Sequence, residues 1–194
     1  PKLWVNQKSL LYLKKVKMLL ERQSDELDIR LKDNFFEKNI YDNILKNIVT
    51  YNFSSNASYP RGEKNTNHIW FSVPCEENIN DYIVKRIKDL FNLEVEIYIS
   101  FYTLLTKMDK IRPHHDKSEH SNYQSIIYLK GDSSIHSGTG YYIKEDKNFV
   151  LNTHIGFNPN RIVFWNSGAW HSPLTFTEEF KPRYSIITQY KTIE

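Results

Sequence analysis

The chain has 194 residues, 40% hydrophobic and 14% aromatic, with 26 Lys and Arg against 23 Asp and Glu. That length buries a sizeable core without staples, and that composition excludes wholesale disorder. The net charge of +3, with no basic tail and no Arg-rich stripe, argues against nucleic acid as a partner. Cys75 is the single cysteine. It excludes an intrachain disulfide and a cysteine-cluster metal site, and it predicts a reducing, cytoplasmic setting. No apolar run reaches the ~20 residues that span a bilayer, and Pro1–Lys15 lacks the order of a secretory signal. The sequence opens on Pro1 rather than Met, as expected of a trimmed chain.

Taken in chain order, Asn6–Gln23 is predicted as a helix, with Ser9 as a cap and Leu10, Leu13, Val16 and Leu20 on helical spacings. Glu37–Val49 is a second helix, its apolar stripe carried by Ile40, Ile44, Leu45 and Ile48. Tyr51–His68 is rich in Ser, Asn, Pro and Gly and reads as a loop. "HIWFSVP" is a short strand closed by Pro74, and Cys75–Asn92 is a third helix with Ile79, Ile83, Ile87 and Leu90 on one side. After Asn92 the period changes. Leu93–Leu105, Tyr123–Asp132, Gly138–Asp146, Lys147–Phe157, Asn160–Gly168 and Arg183–Ile193 contain β-rich runs with turn residues between them, part of a run of about seven strands. Helices followed by strands predict an α+β domain whose strands form a sandwich, a jelly roll or a barrel. One domain is expected over 1–194, with a mainly helical part at 1–92 and a β core at 93–194. The helical part either buttresses the core or forms a homodimer contact.

Chemistry concentrates in "KIRPHHDKSEH", which holds three of the seven histidines. His114 and Asp116 stand at i and i+2, so on extended backbone both point to one face. His115 then points away. The pair Glu119 and His120 diverges in direction. His171, 55 residues beyond Asp116 and just after the strand "RIVFW", is the candidate for a third ligand. Two histidines and one carboxylate make a facial triad, the donor set of non-haem iron(II) oxygenases. A hydrogen-bonded loop pair and a core histidine are the competing explanations of these residues. Arg183 lies 12 residues after His171, and Ser185 shares its side of a strand. A guanidinium beside a hydroxyl is a clamp for a carboxylate, because Arg pairs bidentately and stays charged. Trp165, Trp170 and Tyr141 are candidates to line a substrate pocket, and Arg112 is a candidate anion hook, two residues before His114. His136 and His154 are expected at the surface.

The order His-x-Asp, distal His, then Arg-x-Ser resembles the 2-oxoglutarate- and iron(II)-dependent oxygenases, and most nearly their prolyl 4-hydroxylase-like branch. The resemblance covers roughly Leu93 to Tyr190. It implies a double-stranded β-helix, a jelly-roll or cupin-like core, with N-terminal buttressing helices. By position, His114, Asp116 and His171 resemble the iron ligands, and Arg183 with Ser185 the site for the distal carboxylate of 2-oxoglutarate. Tyr102 matches the aromatic hydroxyl that often joins that site, with Tyr98 and Thr103 competing for the role. "SGTGYYIK" (Ser137–Lys144) is similar to a glycine-rich strand of the family, with Ser137 in place of its first glycine. The resemblance implies iron(II), 2-oxoglutarate and O2 as cofactors, hydroxylation of an unactivated C–H bond, and release of succinate and CO2. Asp116 argues against a halogenase, because halogenating members lack that carboxylate. The expected substrate is a small molecule such as an amino acid or biosynthetic intermediate. The alternatives are a peptidyl residue, or a cupin-like metal enzyme without 2-oxoglutarate.

Overall fold

The structure is a computed structural model that describes residues 27–55, 70–106, 113–174 and 182–193. The helix expected at Asn6–Gln23, most of the loop expected at Tyr51–His68, and Arg112 lie outside these residues. The described elements run β1 (Ile29–Lys32), α1 (Lys38–Ile48), β2 (Ser54–Ser55), β3 (Trp70–Pro74), α2 (Glu77–Phe91), β4 (Val95–Leu105), β5 (Tyr123–Lys130), β6 (Ser134–Glu145), β7 (Asn148–Phe157), β8 (Arg161–Asn166), β9 (Trp170–Pro173) and β10 (Arg183–Thr192). The two helices fall where the apolar spacing puts them. Helix α1 buries Ile44 and Ile48, and α2 buries Ile79, Ile83 and Ile87, one residue per turn. Helix α2 stops at Asn92, whose left-handed backbone (φ 54°) turns the chain into β4.

The strands form a seven-stranded sheet in the order β1-β8-β5-β10-β4-β3-β2 and a three-stranded sheet in the order β7-β6-β9. Every strand pairing is antiparallel. Alternate residues of the large sheet serve two cores. One side packs Tyr102, Ile127, Phe164, Ile186 and Tyr190 against both helices. The other side faces the small sheet, where Tyr128, Val163 and Trp165 meet Tyr141 and Phe157. This is the α+β architecture expected, with a jelly-roll core and two helices against one sheet.

Strand β1 adds to the expectation for residues 1–92, because it joins the large sheet beside β8. Asn160 secures the segment after it. Its amide accepts from the Phe36 N–H at 2.8 Å and donates to the Phe36 carbonyl at 2.9 Å, and its own carbonyl accepts from the Phe35 N–H. Among the described residues, no helix is long and apolar enough to cross a membrane.

Candidate metal centre and adjoining cavity

The turn between β8 and β9 builds the first half of the centre. The Ser167 N–H bonds to the Asn122 carbonyl, and the Ser167 hydroxyl donates to the Ser121 carbonyl at 2.6 Å. The Ser167 carbonyl in turn accepts the Asp116 N–H at 3.0 Å. His114 and His171 exchange both backbone hydrogen bonds, at 2.9 and 2.8 Å, in an antiparallel bridge. The segment Pro113–Asp116 is thus laid as a short extra strand against β9. Distant parts of the chain are locked in register by main chain alone.

Side chains follow from that register. His114, Asp116 and His171 present ligand atoms within 4.8 Å of one another. Asp116 Oδ2 lies 3.3 Å from His171 Nε2 and 3.9 Å from His114 Nε2. Neighbouring ligands held about 2.1 Å from one ion stand about 3 Å apart, so this spacing fits a shared metal. The His171 ring is fixed further. Its Nδ1–H donates to the Ala169 carbonyl at 3.0 Å, which aims Nε2 at Asp116, where a metal would take the place of the proton the two share. Burial alone would raise the Asp116 carboxyl, but hydrogen bonding and charge from His171, the charge of His114 and the Gln124 amide outweigh it. They hold Asp116 below the usual carboxylate range, ready as an anion. The donor set, two imidazoles and one carboxylate, suits ferrous iron.

A cavity of about 120 Å³ opens on these three side chains, walled by Phe101, Gln124, Trp165 and Gln189. A second, narrower one of about 30 Å³ holds Arg183, Ser185, Thr103 and Tyr128. The two share Ile126, Thr139, Pro173 and Ile187 as walls. The two adjoin across these shared walls, the ligand triad at one and a cation at the other. Arg183 is 6% exposed, and its Nη1 donates to the Gly138 carbonyl at 3.3 Å. Burial lowers its pKa to about 10, countered only in part by Tyr128. Gly138 must lack a side chain, since a Cβ there would stand 1.9 Å from the Ile155 carbonyl oxygen. The Tyr128 hydroxyl bonds to Thr139 Oγ1 at 2.8 Å, and Thr103 Oγ1 to Ser185 Oγ at 2.7 Å. The narrower cavity therefore carries a guanidinium among hydroxyls.

The structure brings together His114, Asp116 and His171, and it brings together Arg183 and Ser185. Trp165 walls the wider cavity, its ring centroid 5.1 Å from that of His171. Tyr102 is not brought there. It lies on the helix side of β4, where its hydroxyl donates to Glu76 Oε2 at 2.6 Å. Thr103, the next residue, takes the cavity side. Trp170 also turns away from the hollow, stacking edge-on with His115 at 4.7 Å and lying under Lys144. Tyr141 is fully buried between the sheets, 6.5 Å from His171 ring to ring. The exposed His120 pairs with Glu119 and lies against the Tyr98 ring, His136 and His154 are exposed as expected, and His115 is exposed too. Tyr128, Gln124 and Gln189 were not singled out from the sequence. Their signal is the two-residue period of β5 and β10, read in phase with Ser185.

No protein-family model matches the sequence, and no curated protein matches it either. Solved structures do. The chain is similar to a prolyl hydroxylase from Trichoplax adhaerens in complex with a hypoxia inducible factor peptide fragment, with a TM-score of 0.60 at 12% identity, over 97% of this chain and 94% of that one. It is similar to HygX from Streptomyces hygroscopicus with nickel and 2-oxoglutarate bound, with a TM-score of 0.61 at 12% identity, over 91% and 87%. It is also similar to an oxidoreductase of the 2OG-Fe(II) oxygenase family from Burkholderia pseudomallei, with a TM-score of 0.60 at 13% identity, over 88% of each chain. The fold is thus the double-stranded β-helix of the 2-oxoglutarate- and iron(II)-dependent oxygenases, prolyl hydroxylases included.

Proposed function

We propose that the protein is an iron(II)- and 2-oxoglutarate-dependent oxygenase that hydroxylates an unactivated C–H bond of a small molecule, with succinate and CO2 as co-products. One observation carries this reading: the His114–Asp116–His171 triad and the buried Arg183 line two adjoining cavities that share four wall residues. A metal site alone would need no buried cation beside it. A buried guanidinium among hydroxyls is matched to a dianionic co-substrate that spans the two cavities. Structures of the same fold hold nickel with 2-oxoglutarate and Fe3+ with alpha ketoglutarate, which supports the same pair here.

His114 Nε2, Asp116 Oδ2 and His171 Nε2 would hold the metal from one side and leave its other side to ligands from the cavity. Iron bound there would supply the activation of dioxygen, coupled to oxidative decarboxylation of the co-substrate. Arg183, assisted by Ser185 and Tyr128, would take the distal carboxylate and set the position of the rest of the molecule. Thr103 holds the Ser185 hydroxyl in place. Ile126, Ile187 and Pro173 line both cavities and would keep water from the co-substrate. HygX with hygromycin B and the epimerase SnoN with nogalamycin RO carry small molecules in the same fold, in keeping with an amino acid or biosynthetic intermediate as substrate, and a prolyl hydroxylase carries a peptide fragment in it, the alternative substrate.

The test is spectroscopic and catalytic. Anaerobic protein loaded with ferrous iron should develop a weak visible charge-transfer band on addition of 2-oxoglutarate. In air it should release succinate, stimulated by the substrate within a metabolite panel, whose product gains one oxygen atom. A protein that binds iron but gives neither band nor succinate would be a metal enzyme of another kind.

A further inference from the structure

Opposite the metal ligands, three side chains stand in one row across the large sheet. Trp165 on β8 pairs in register with Gln124 on β5, and Gln124 pairs with Gln189 on β10. All three wall the wider cavity. Directly paired residues of neighbouring strands share a face and stand within side-chain reach. Two of the three carry an unsatisfied polar atom. Trp165 is 1% exposed and Gln124 4% exposed, yet Trp165 Nε1 and Gln124 Oε1 have no hydrogen-bond partner. Such atoms are rare in native interiors, because each forgoes the bond it had with water.

The orientation of the Gln124 amide follows from Asp116. A carboxylate accepts and does not donate, so the NH2 end of Gln124 is the end that bonds to Asp116. The carbonyl end is therefore the free one. On one face of the sheet the row thus offers a vacant donor, the Trp165 N–H, and a vacant acceptor, the Gln124 carbonyl. It holds no net charge. A carboxylate would satisfy the indole but meet the Gln124 oxygen with another acceptor. An ammonium would do the reverse. A carboxamide satisfies both, its carbonyl accepting from Trp165 and its N–H donating to Gln124.

The row is also remote from the co-substrate clamp. Arg183 and Gln189 are six residues apart on one strand, roughly 20 Å at the usual rise. A five-carbon diacid held at Arg183 is too short to reach Gln189. We infer that the Trp165–Gln124–Gln189 row is the primary-substrate subsite, and that it recognises an uncharged carboxamide group on the molecule to be oxidised. This rests on the oxygenase reading for the identity of the second ligand, but not for the chemistry of the row.

Nuclear magnetic resonance on the metal-free, 15N-labelled protein tests it, with the Trp165 indole N–H signal assigned through Trp165→Phe. Titration with acetamide should move that signal saturably, and acetate, nearly the same shape, should bind about tenfold more weakly, the worth of one satisfied hydrogen bond. N-methylacetamide separates the two sources of the group: equal binding marks a peptide bond, and binding of acetamide alone marks a primary amide. Gln124→Leu should weaken acetamide by the same factor of about ten, with Gln189→Leu as the second variant should the first not fold. In Gln189→Leu, the iron-loaded protein should keep its 2-oxoglutarate affinity. Equal binding of acetate, no saturable shift, or 2-oxoglutarate affinity lost with Gln189 would overturn the assignment. An amide shift in a protein that binds neither iron nor 2-oxoglutarate would leave the row standing and remove the oxygenase reading alone.

Discussion

On β10, Tyr184, Ile186 and Tyr190 face the helices, while Arg183, Ser185, Ile187 and Gln189 face the small sheet. The same alternation splits β5 into Ile127 and Leu129 against Ile126 and Tyr128, and β8 into Phe164 against Trp165. The helix side is apolar, and its buried hydroxyls are paired, as between Ser125 and Tyr190 at 2.7 Å. The cavity side keeps a guanidinium, a ligand triad and the unsatisfied polar atoms of Gln124, Trp165 and, from the small sheet, Tyr141. A strand period of two lets one sheet carry a sealed core and a reactive hollow on successive residues. Stability should therefore answer to one face and ligand binding to the other.

The largest expected effect is on the cavity side. Arg183→Leu keeps bulk and removes two charge-assisted hydrogen bonds to a carboxylate. 2-Oxoglutarate affinity, read by anaerobic titration of the iron-loaded protein, should fall about 100- to 1,000-fold. Denaturant unfolding of the ligand-free protein should shift by less than about 1 kcal/mol, because burial already opposes the charged form of Arg183 and leucine carries no such cost. A large loss of stability would make Arg183 structural and erase the division between the faces. Ile83→Ala is the mirror experiment. Ile83 is fully buried between α2 and the large sheet, so its truncation should cost about 2–5 kcal/mol in unfolding free energy. Iron and 2-oxoglutarate affinities of the folded variant should stay as they were.

Much of this division is visible in the sequence. Ile79, Ile83 and Ile87 announce their helix face at 3.6 spacing, and the i, i+2 pairs His114–Asp116 and Arg183–Ser185 announce a shared direction. The convergence of His171 on the first pair has no local signal. It arises from the two-bond bridge between residues 114 and 171, a register that only the folded sheet fixes. Strand β1 escaped because four residues, "IRLK", are too short to show a period, and it gains its strand pairing from β8. The side on which Tyr102 lies was not legible for a related reason. In "SFYTLL" both phases of the alternation put a hydroxyl-bearing residue forward, and hydropathy does not choose between Tyr102 and Thr103. The choice is made by pairing with β10, where Thr103 lies opposite Ser185 and Tyr102 opposite Ile186.

That adjacent pair gives the smallest and most discriminating test. Burial, with Cys75 and Glu76 beside it, pushes the Tyr102 hydroxyl far above its ordinary pKa, so it remains a donor at any physiological pH. Its one job is to donate to Glu76, which Tyr51 also contacts. Tyr102→Phe should cost about 1–2 kcal/mol of unfolding free energy and leave 2-oxoglutarate affinity unchanged. Thr103→Val keeps the shape of the side chain and removes the bond to Ser185 Oγ. It should weaken 2-oxoglutarate about three- to tenfold, because Ser185 loses the partner that orients it, and it should leave stability within about 1 kcal/mol of the parent protein. Were Tyr102→Phe to weaken the co-substrate more than Thr103→Val, the phase of β4 would be reversed. The clamp at Arg183 would then have to be drawn with the tyrosine in it.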